Sequence, residues 1–158
     1  MKVRLAEPSE LPRVMEIEHA CFRSERFSTN TVRAFLERDD AFVILATVGD
    51  RAVGAAMCMF STRCGEGRIA SIAVIPEFRR RGIGARLLDE CEKRFLSNGA
   101  TKFGLEVETN NEPATSLYAS RGYVLRGMAK NYYSDGRDAY YMEKDGSPPK
   151  RKVRVKPS

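Results

Sequence analysis

The sequence predicts a single α/β (α+β) domain. We expect a mixed, mostly antiparallel sheet of about six or seven strands, a central parallel β-α-β unit and about four helices. Two observations support this prediction. A strand at 68–75, an amphipathic helix at 83–97 and a strand at 103–107 follow one another, as in a crossover between parallel strands. Strand pairs with short connections precede and follow this unit, and such pairs are antiparallel.

The first half of the chain is predicted to contain two short helices and a hairpin. Pro12 is tolerated in the opening turn of a helix, and apolar residues recur on one side after it. The turn Gly49-Asp50-Arg51 separates two β-rich runs. In order, the predicted elements are a helix from Ser9 or Glu10, a loop at 21–30, a helix at 31–38, and strands at 41–48 and 52–60.

The second half contains the clearest helix. Ile83, Leu87, Cys91 and Phe95 recur every four residues, and Asn98-Gly99 supplies a C-terminal stop. This spacing predicts one buried helix face. The remaining predicted elements are a strand at 103–107, a short helix that begins at Glu112 and ends at Gly122, and strands at 123–128 and 138–143 around a turn at 134–136.

The chain has 158 residues and a formal charge of +6, and its length suits one domain. Residues 144–158 contain six basic side chains and one acidic one, so most of the excess charge lies there. Few apolar side chains accompany these charges, which predicts a flexible segment. We therefore expect a folded domain at 1–144 and a basic tail at 145–158. The tail either keeps the protein in solution or contacts a polyanion such as nucleic acid.

Several classes of protein are not expected. No apolar run approaches the roughly 18 residues that span a bilayer, and the N-terminus lacks the apolar stretch of a secretory signal. We therefore expect a cytoplasmic protein without a membrane partner. The four cysteines are scattered and His19 is the only histidine, so no metal site is expected. The absence of a Gly-x-Ser-x-Gly elbow argues against a serine hydrolase.

The segment from Arg79 to Ala85 carries the most informative chemistry. It follows a strand that ends at Pro76 and reads Arg-Arg-Arg-Gly-Ile-Gly-Ala. Glycines let backbone N–H groups approach a ligand, and a helix start adds free donors, so the pattern favours a phosphate or pyrophosphate. The dinucleotide fingerprint needs a glycine where Leu87 stands, and the Walker A pattern is absent. A phosphate-bearing ligand of another kind remains.

The chain resembles a known family at three places. Arg79-x-x-Gly82-x-Gly84 is similar to the acetyl-CoA-binding motif of the Gcn5-related N-acetyltransferase (GNAT) superfamily. Residues 110–123 resemble the second CoA-side motif of that family, Asn…Ala…Leu-Tyr…Gly-Phe. Residues 131–139 resemble the Asn-Tyr-Tyr…Asp-Gly…Asp-Ala stretch of the RimI-type and arrest-defective-type protein N-terminal acetyltransferases. The resemblance covers residues 2–144 and implies the GNAT fold.

The resemblance also implies an acetyl-CoA site. The strand before the arginine segment would bind the pantetheine arm through its backbone and orient the acetyl carbonyl. The arginine segment would bind the pyrophosphate through its N–H groups. The implied cofactor-binding residues are Ile72, Ala73, Val74, Arg79, Arg80, Arg81, Gly82, Ile83, Gly84, Ala85, Asn111 and Tyr118.

Glu106 and Tyr118 match the RimI-type general base and general acid, which would deprotonate the amine and protonate the departing CoA thiolate. The alternatives are an edge-strand glutamate that faces water and a tyrosine that only packs. Residues 24–27, Ser-Glu-Arg-Phe, resemble a loop that contacts the acceptor peptide in the arrest-defective type. The implied substrate-binding residues are Glu25, Phe27, Tyr132 and Tyr133.

These resemblances predict an N-terminal protein acetyltransferase that works by direct transfer in a ternary complex. The acceptor is a protein or peptide N-terminus, with a ribosomal protein as one candidate. Within enzymes, the alternative is acetylation of lysine or a small amine, since the CoA-binding half does not define the acceptor. A ribosome- or nucleic-acid-binding module is a further alternative, which an intact Glu106 and Tyr118 argue against.

Overall fold

The computed structural model describes residues 1–23 and 26–146. Glu25 and most of the predicted tail therefore lie outside the described residues. The helices are α1 (Leu11–Cys21), α2 (Thr29–Glu37), α3 (Ile83–Ser97) and α4 (Glu112–Ser120). The strands are β1 (Lys2–Leu5), β2 (Ala41–Val48), β3 (Arg51–Ser61), β4 (Glu66–Val74), β5 (Lys102–Glu108), β6 (Val124–Ala129) and β7 (Ala139–Asp145). Short 3-10 turns cover Pro8–Glu10 and Pro76–Phe78.

The strands form one seven-stranded sheet in the order β1-β2-β3-β4-β5-β7-β6 within the described part of the chain. All neighbouring strands are antiparallel except β4 and β5, which are parallel and joined through α3. This arrangement confirms the predicted fold class, including the central β-α-β unit. The predicted boundary between a domain at 1–144 and a tail at 145–158 stays a prediction, although β7 continues to Asp145.

Two kinds of feature do not occur in residues 1–23 and 26–146. No helix there is both long and apolar enough to cross a membrane. Those residues also contain no cluster of three or more His, Cys, Asp or Glu side chains that could hold a metal ion. The sequence-based expectations of no metal and no membrane partner stay predictions.

Helix α3 packs on the sheet through the face that its spacing predicts. Leu87, Cys91 and Phe95 are fully buried. The Phe95 ring lies 5.2 Å from the ring of Phe103 on β5 and 5.4 Å from that of Phe42 on β2. Because burying one such side chain contributes about 1.5–3 kcal/mol, this face fixes α3 across the parallel pair. The start of α3 is thereby held next to the end of β4.

The parallel pairing between β4 and β5 is short, so the two strands stop pairing near the centre of the sheet. Pairing of β4 with β5 ends at Ile69 and Leu105. Beyond that point β4 continues to pair with β3 as far as Val74, whereas β5 continues to pair with β7 as far as Glu108. The two halves of the sheet therefore diverge. We call the resulting cleft, between residues 71–74 of β4 and 106–108 of β5, the wedge.

Strand β1 is an element that the sequence analysis did not predict. It is four residues long and pairs with β2, Lys2 opposite Thr47 and Leu5 opposite Ile44, so its partner is distant in sequence. Arg4 on β1 donates two hydrogen bonds, of 2.7 and 2.8 Å, to the carboxylate of Glu10 just before α1. These bonds lower the pKa of Glu10 to about 2. The Arg4–Glu10 contact thus connects β1 to the start of α1, and no local sequence pattern indicates this contact.

The second helix also begins earlier than predicted. It starts at Thr29 instead of residue 31, because the Ser28 hydroxyl accepts a hydrogen bond of 3.2 Å from the backbone N–H of Thr31. A serine at this position satisfies one of the free N–H groups of the first turn. The loop between α1 and α2 is correspondingly shorter than the sequence indicated.

The contact between β4 and α3 predicts the effect of adding a single carbon. A Cβ on Gly67 would lie 2.5 Å from the Phe95 ring, whereas a Cβ on Gly127 in β6 would meet nothing within 4 Å. We expect Gly67→Ala to lower the free energy of unfolding by about 1–3 kcal/mol through overpacking. The matched variant Gly127→Ala should stay within about 0.5 kcal/mol of wild type. Urea unfolding measures both, and equal stabilities would contradict this account of the packing.

Candidate active site

Backbone groups at the end of β4 point into the wedge. The Ile75 N–H donates a hydrogen bond of 2.9 Å to the Val53 carbonyl on β3, so Ile75 and Val53 form a hydrogen-bonded pair. Along antiparallel strands, such pairs alternate with pairs that are not hydrogen-bonded to each other. Ala73, which is opposite Ala55, is therefore bonded to β3. Ile72 and Val74 direct their N–H and C=O groups towards the wedge. Of the three residues predicted to bind pantetheine by backbone, these two present groups to a ligand.

Arg79 braces this end of the strand. Its Nε donates a hydrogen bond of 2.8 Å to the Val74 carbonyl. The sequence analysis predicted Arg79 as a cofactor-binding residue, and the structure also gives it this role within the protein. The Ile72 N–H, the Ile72 carbonyl and the Val74 N–H remain directed at the wedge without a strand partner in the described part of the chain.

The turn between β4 and α3 has an unusual backbone. Arg80 has φ 64° and Gly82, the N-cap of α3, has φ 78°, both in the left-handed region. Such a turn concentrates N–H groups on one side, and the first turn of α3 adds its own free donors. Arg80 and Arg81 are exposed, and the Arg81 guanidinium lies 4.7 Å from the centre of the Phe78 ring. The arrangement fits an anion with several oxygens.

The glycines of this turn have different functions in the fold. Gly82 requires its left-handed φ, which side chains rarely adopt. A Cβ on Gly84 would lie 3.3 Å from Cδ2 of Leu117, so Gly84 lets α3 approach α4 closely. This contact joins the two helices that carry the predicted CoA-side residues. Ile83 is buried and Ala85 is half-buried next to it.

Helix α4 presents the other predicted CoA-side residues. The Asn111 side-chain oxygen accepts a hydrogen bond of 3.2 Å from the Ala114 N–H and so caps the helix, which leaves its amide group for another contact. Tyr118 is 4% exposed, and its ring packs edge-on against Tyr123 at 5.9 Å. Burial raises the pKa of Tyr118, with smaller contributions from Cys91 and Tyr133. Tyr118 is therefore a protonated phenol at neutral pH.

Glu106 is on β5 at the mouth of the wedge and is ion-paired. Its Oε2 lies 2.5 Å from Nη2 of Arg68 on β4, and its side chain is 14% exposed. The same guanidinium donates a hydrogen bond of 3.1 Å to the hydroxyl of Tyr132. Partial burial opposes the charge of Arg68, but Glu106 and Tyr132 raise the pKa of Arg68 overall. Sequence reasoning did not identify Arg68, because the contact depends on the register of the parallel pair.

Tyr132 and Tyr133 lie on the connection between β6 and β7. Their rings meet edge-to-face at 5.0 Å, with Tyr132 46% exposed. Burial, then Tyr132, raises the pKa of Tyr133 to about 12. Arg68 contacts both Tyr132 and Glu106, which places the tyrosine pair beside Glu106. The structure therefore brings these predicted residues into one neighbourhood. Asp138 holds the connection by accepting a hydrogen bond of 2.9 Å from the Asn131 N–H.

The predicted substrate-side residues before α2 are only partly described. Glu25 lies outside the described residues. Phe27 is half-buried, and its ring stacks on Phe35 of α2 at 5.9 Å. Its backbone N–H donates a hydrogen bond of 2.9 Å to Glu18 of α1, a residue that sequence reasoning also missed. A surface cavity of about 440 Å³ lies between α1 and the start of α2, with Phe27 on its wall.

The geometry combines an open strand edge, an anion-binding helix start, a carboxylate and a buried phenol. This combination suits a long ligand that carries phosphate groups. The family model described as the acetyltransferase (GNAT) family matches residues 11–123. The chain belongs to this family, as its resemblance predicted.

Curated relatives carry the name N-alpha-acetyltransferase. The chain is 34% identical over 123 residues to N-alpha-acetyltransferase 30 of Xenopus laevis, covering 76% of this chain and 45% of that protein. It is 32% identical over 120 residues to N-alpha-acetyltransferase 30 of Schizosaccharomyces pombe, covering 74% of this chain and 80% of that protein. The chain thus spans less than half of the longer relative and most of the shorter one.

Solved structures share the fold over nearly the whole chain. The ribosomal-protein-S18-alanine N-acetyltransferase from Escherichia coli superposes with a TM-score of 0.83 at 24% identity, over 96% of this chain and 97% of that one. Ard1 from Thermoplasma volcanium gives 0.80 at 28% identity, over 91% and 96%. A chain of the NatC complex bound to Gag peptide and CoA gives 0.78 at 19% identity, over 92% and 99%. The first and third show the fold alone.

The capping bond of Asn111 predicts a difference between two substitutions. Asn111→Ala removes the acceptor for the Ala114 N–H and should lower the free energy of unfolding by about 1 kcal/mol. Asn111→Asp keeps an acceptor at the same place, so its stability should match that of wild type. Thermal or urea unfolding of the two variants decides this. Equal loss in both would show that the capping bond does not stabilise α4.

Proposed function

We propose that the protein transfers the acetyl group of acetyl-CoA directly to the α-amino group of a protein N-terminus. The observation that carries this proposal is the open edge of β4, with Ile72 and Val74 facing the wedge beside Glu106. The names of the curated relatives support the choice of acceptor. A cytoplasmic location, and a ribosomal protein as the natural acceptor, are parts of the same proposal, the latter suggested by the likeness to the Escherichia coli enzyme.

Acetyl-CoA fits this site by the chemistry of its parts. Amide groups of a pantetheine arm can pair with the backbone of Ile72 and Val74 as an added strand does. The pyrophosphate can accept hydrogen bonds from N–H groups at the start of α3, where Arg80 and Arg81 add positive charge. Asn111 retains a free amide on the neighbouring helix. The acetyl group then lies at the wedge, where one of these N–H groups, that of Ile72 or that of Val74, can stabilise a developing oxyanion while the other pairs with the pantetheine arm.

The acceptor amine must lose a proton to react. An α-amino group has a pKa near ~7.7–8.0 and lysine one near ~10.4, so an N-terminus supplies far more neutral amine at pH 7. The neutral nitrogen attacks the thioester carbonyl, the carbon–sulfur bond breaks, and Glu106 accepts the released proton directly or through water. A carboxylate has about four lone-pair sites, so pairing with Arg68 leaves capacity for this step.

Arg68 affects the same step through its charge. A guanidinium that stands this close to Glu106 also stands close to an amine that approaches Glu106. A neighbouring positive charge disfavours the protonated form of an amine. Arg68 therefore favours the reactive neutral amine while it holds the carboxylate in place.

Tyr118 serves the departing thiolate. Its raised pKa keeps the phenol protonated, so it can donate a hydrogen bond to sulfur as the carbon–sulfur bond breaks. A thiol of the cysteine type has a pKa near ~8.5, which is lower than that of this phenol. At equilibrium the proton therefore stays mostly on the Tyr118 oxygen and is shared with the thiolate as a hydrogen bond. Stabilising the thiolate by hydrogen bonding is the role that the burial of Tyr118 favours.

The acceptor peptide lies between two aromatic walls in this proposal. Tyr132 and Tyr133 form one wall, and Phe27 belongs to the other. Glu25, which lies outside the described residues, stays a predicted acceptor contact. Tyr132 is bonded to Arg68, so an acceptor that contacts Tyr132 also meets the ion pair of Glu106. Contact of the basic tail with nucleic acid remains a separate hypothesis that concerns recruitment of the enzyme.

The acetylated nitrogen tests the reaction. Acetyl-CoA is mixed with peptides that begin with Ser, Ala, Met or Glu and contain an internal lysine, and the product is mapped by fragmentation in a mass spectrometer. We expect acetylation of the α-amino group of at least one peptide. Acetyl-lysine alone would replace the proposal by the lysine alternative. Salt-dependent RNA retention without any acetylation would favour the binding module.

Removal of the carboxylate tests the role of Glu106. Glu106→Gln should lower turnover on the order of 10²-fold, the usual contribution of a general base, and leave acetyl-CoA affinity within twofold. Glu143→Gln is the matched control, since Glu143 lies on the same sheet face, is 16% exposed and is also ion-paired, with Lys102. Its turnover should stay within about threefold of wild type. Comparable losses in both variants would remove Glu106 as the base.

A further inference from the structure

Glu18 is a buried carboxylate that the proposed reaction does not use. It lies on α1 and is 3% exposed, and the only other buried polar or charged residue in the described part of the chain is Thr47. Its neighbours Val14 and Ile17 on the same helix belong to the hydrophobic core. Burying a carboxylate is costly unless hydrogen bonds compensate it. An aliphatic residue would suit this position better if only packing mattered.

The carboxylate joins three separate parts of the fold. One oxygen, Oε2, accepts a hydrogen bond of 2.9 Å from the backbone N–H of Phe27, in the loop between α1 and α2. The other, Oε1, accepts one of 3.4 Å from the Ser71 hydroxyl on β4. Helix α1, the loop before α2 and the central strand are therefore connected through one side chain.

Both partners of Glu18 border the proposed reaction site. Ser71 directly precedes Ile72, the first residue of β4 whose backbone faces the wedge. Phe27 belongs to the proposed acceptor wall, and the Ser28 cap of α2 follows it at once. The place of the Phe27 backbone relative to β4 is thus set by the Glu18 carboxylate.

We propose that Glu18 is a positioning residue for the acceptor: it holds the loop between α1 and α2 against β4 and so sets the width of the peptide-binding side of the site. This inference rests on the proposed function. The two hydrogen bonds described above join Glu18 to the backbone N–H of Phe27 and the hydroxyl of Ser71, neither of which is a reacting atom of the proposed transfer. Glu18 therefore acts on acceptor binding in this proposal.

Kinetics of variants separate this role from a general effect on folding. The acceptor is the peptide beginning with Ser, Ala, Met or Glu that wild type acetylates fastest. We expect Glu18→Ala to raise the KM for this peptide about tenfold or more and to leave the KM for acetyl-CoA within twofold. Glu18→Gln retains one acceptor oxygen for the Phe27 N–H and should recover most of the loss. Ser71→Ala, which removes only the longer bond, should raise the peptide KM by less than Glu18→Ala does.

Glu16→Ala is the matched control. Glu16 is a carboxylate two residues away on the same helix and is exposed, so both KM values should equal those of wild type. The positioning role is excluded if Glu18→Ala raises both KM values equally, if it leaves the peptide KM unchanged, or if Glu18→Gln is as impaired as Glu18→Ala.

Hydrogen exchange tests the contact independently of activity. In the free protein, the Phe27 amide should exchange at least tenfold faster in Glu18→Ala than in wild type. In Glu18→Gln, which keeps an acceptor oxygen, the Phe27 amide should stay protected, and this variant serves as the test if Glu18→Ala does not fold. An unchanged Phe27 rate in both variants would overturn the inference. If wild type acetylates none of the peptides, the proposed function fails, whereas the exchange rates still show whether Glu18 holds the loop.

Discussion

The early end of the parallel pairing between β4 and β5 is the constraint on which the site depends. Pairing stops at Ile69 and Leu105, while each strand continues along its other neighbour. Unpaired backbone groups inside a sheet are costly, so an edge that opens in the middle of a domain needs a partner. An extended donor molecule can be that partner. The same divergence sets Glu106 on one side of the opening and Ile72 on the other, so one feature of the sheet supplies both the proposed binding edge and the proposed base.

The charges that matter for the reaction are local, although the sequence carries +6. Most of that excess lies in residues 144–158, and only the first three of these belong to the described structure. Within the domain, Arg80 and Arg81 lie beside the start of α3, and Arg68 forms an ion pair with Glu106. The first group suits the anionic end of the donor, and the second suits the amine end of the reaction. In the proposed reaction, positive charge therefore serves two purposes: binding the anionic part of the donor and favouring the neutral form of the acceptor amine.

Local sequence patterns predicted most helices and strands, but they did not predict contacts between segments that are distant in sequence. The four-residue spacing of α3 is a local signal, and all of its predicted core residues are buried. Strand β1 was missed because it is short and pairs with β2, some forty positions away along the chain. Arg68 pairs with Glu106 only through the strand register, and nothing in the helix pattern distinguishes the buried Glu18 from the exposed Glu16. The roles of Glu106 and Tyr118 came from family resemblance, whereas phosphate binding by the arginine segment was inferred from its glycines and the helix start; all of these roles remain proposals.

Amide hydrogen exchange with and without acetyl-CoA tests most directly whether the wedge holds the donor. The alternation of β4 predicts that the N–H groups of Ile72 and Val74 exchange faster than that of Ala73 in the free protein. On addition of acetyl-CoA, Ile72, Val74 and the first residues of α3 should become protected, whereas Ala73 should change little because β3 already binds it. Protection elsewhere, with Ile72 and Val74 unchanged, would contradict the account.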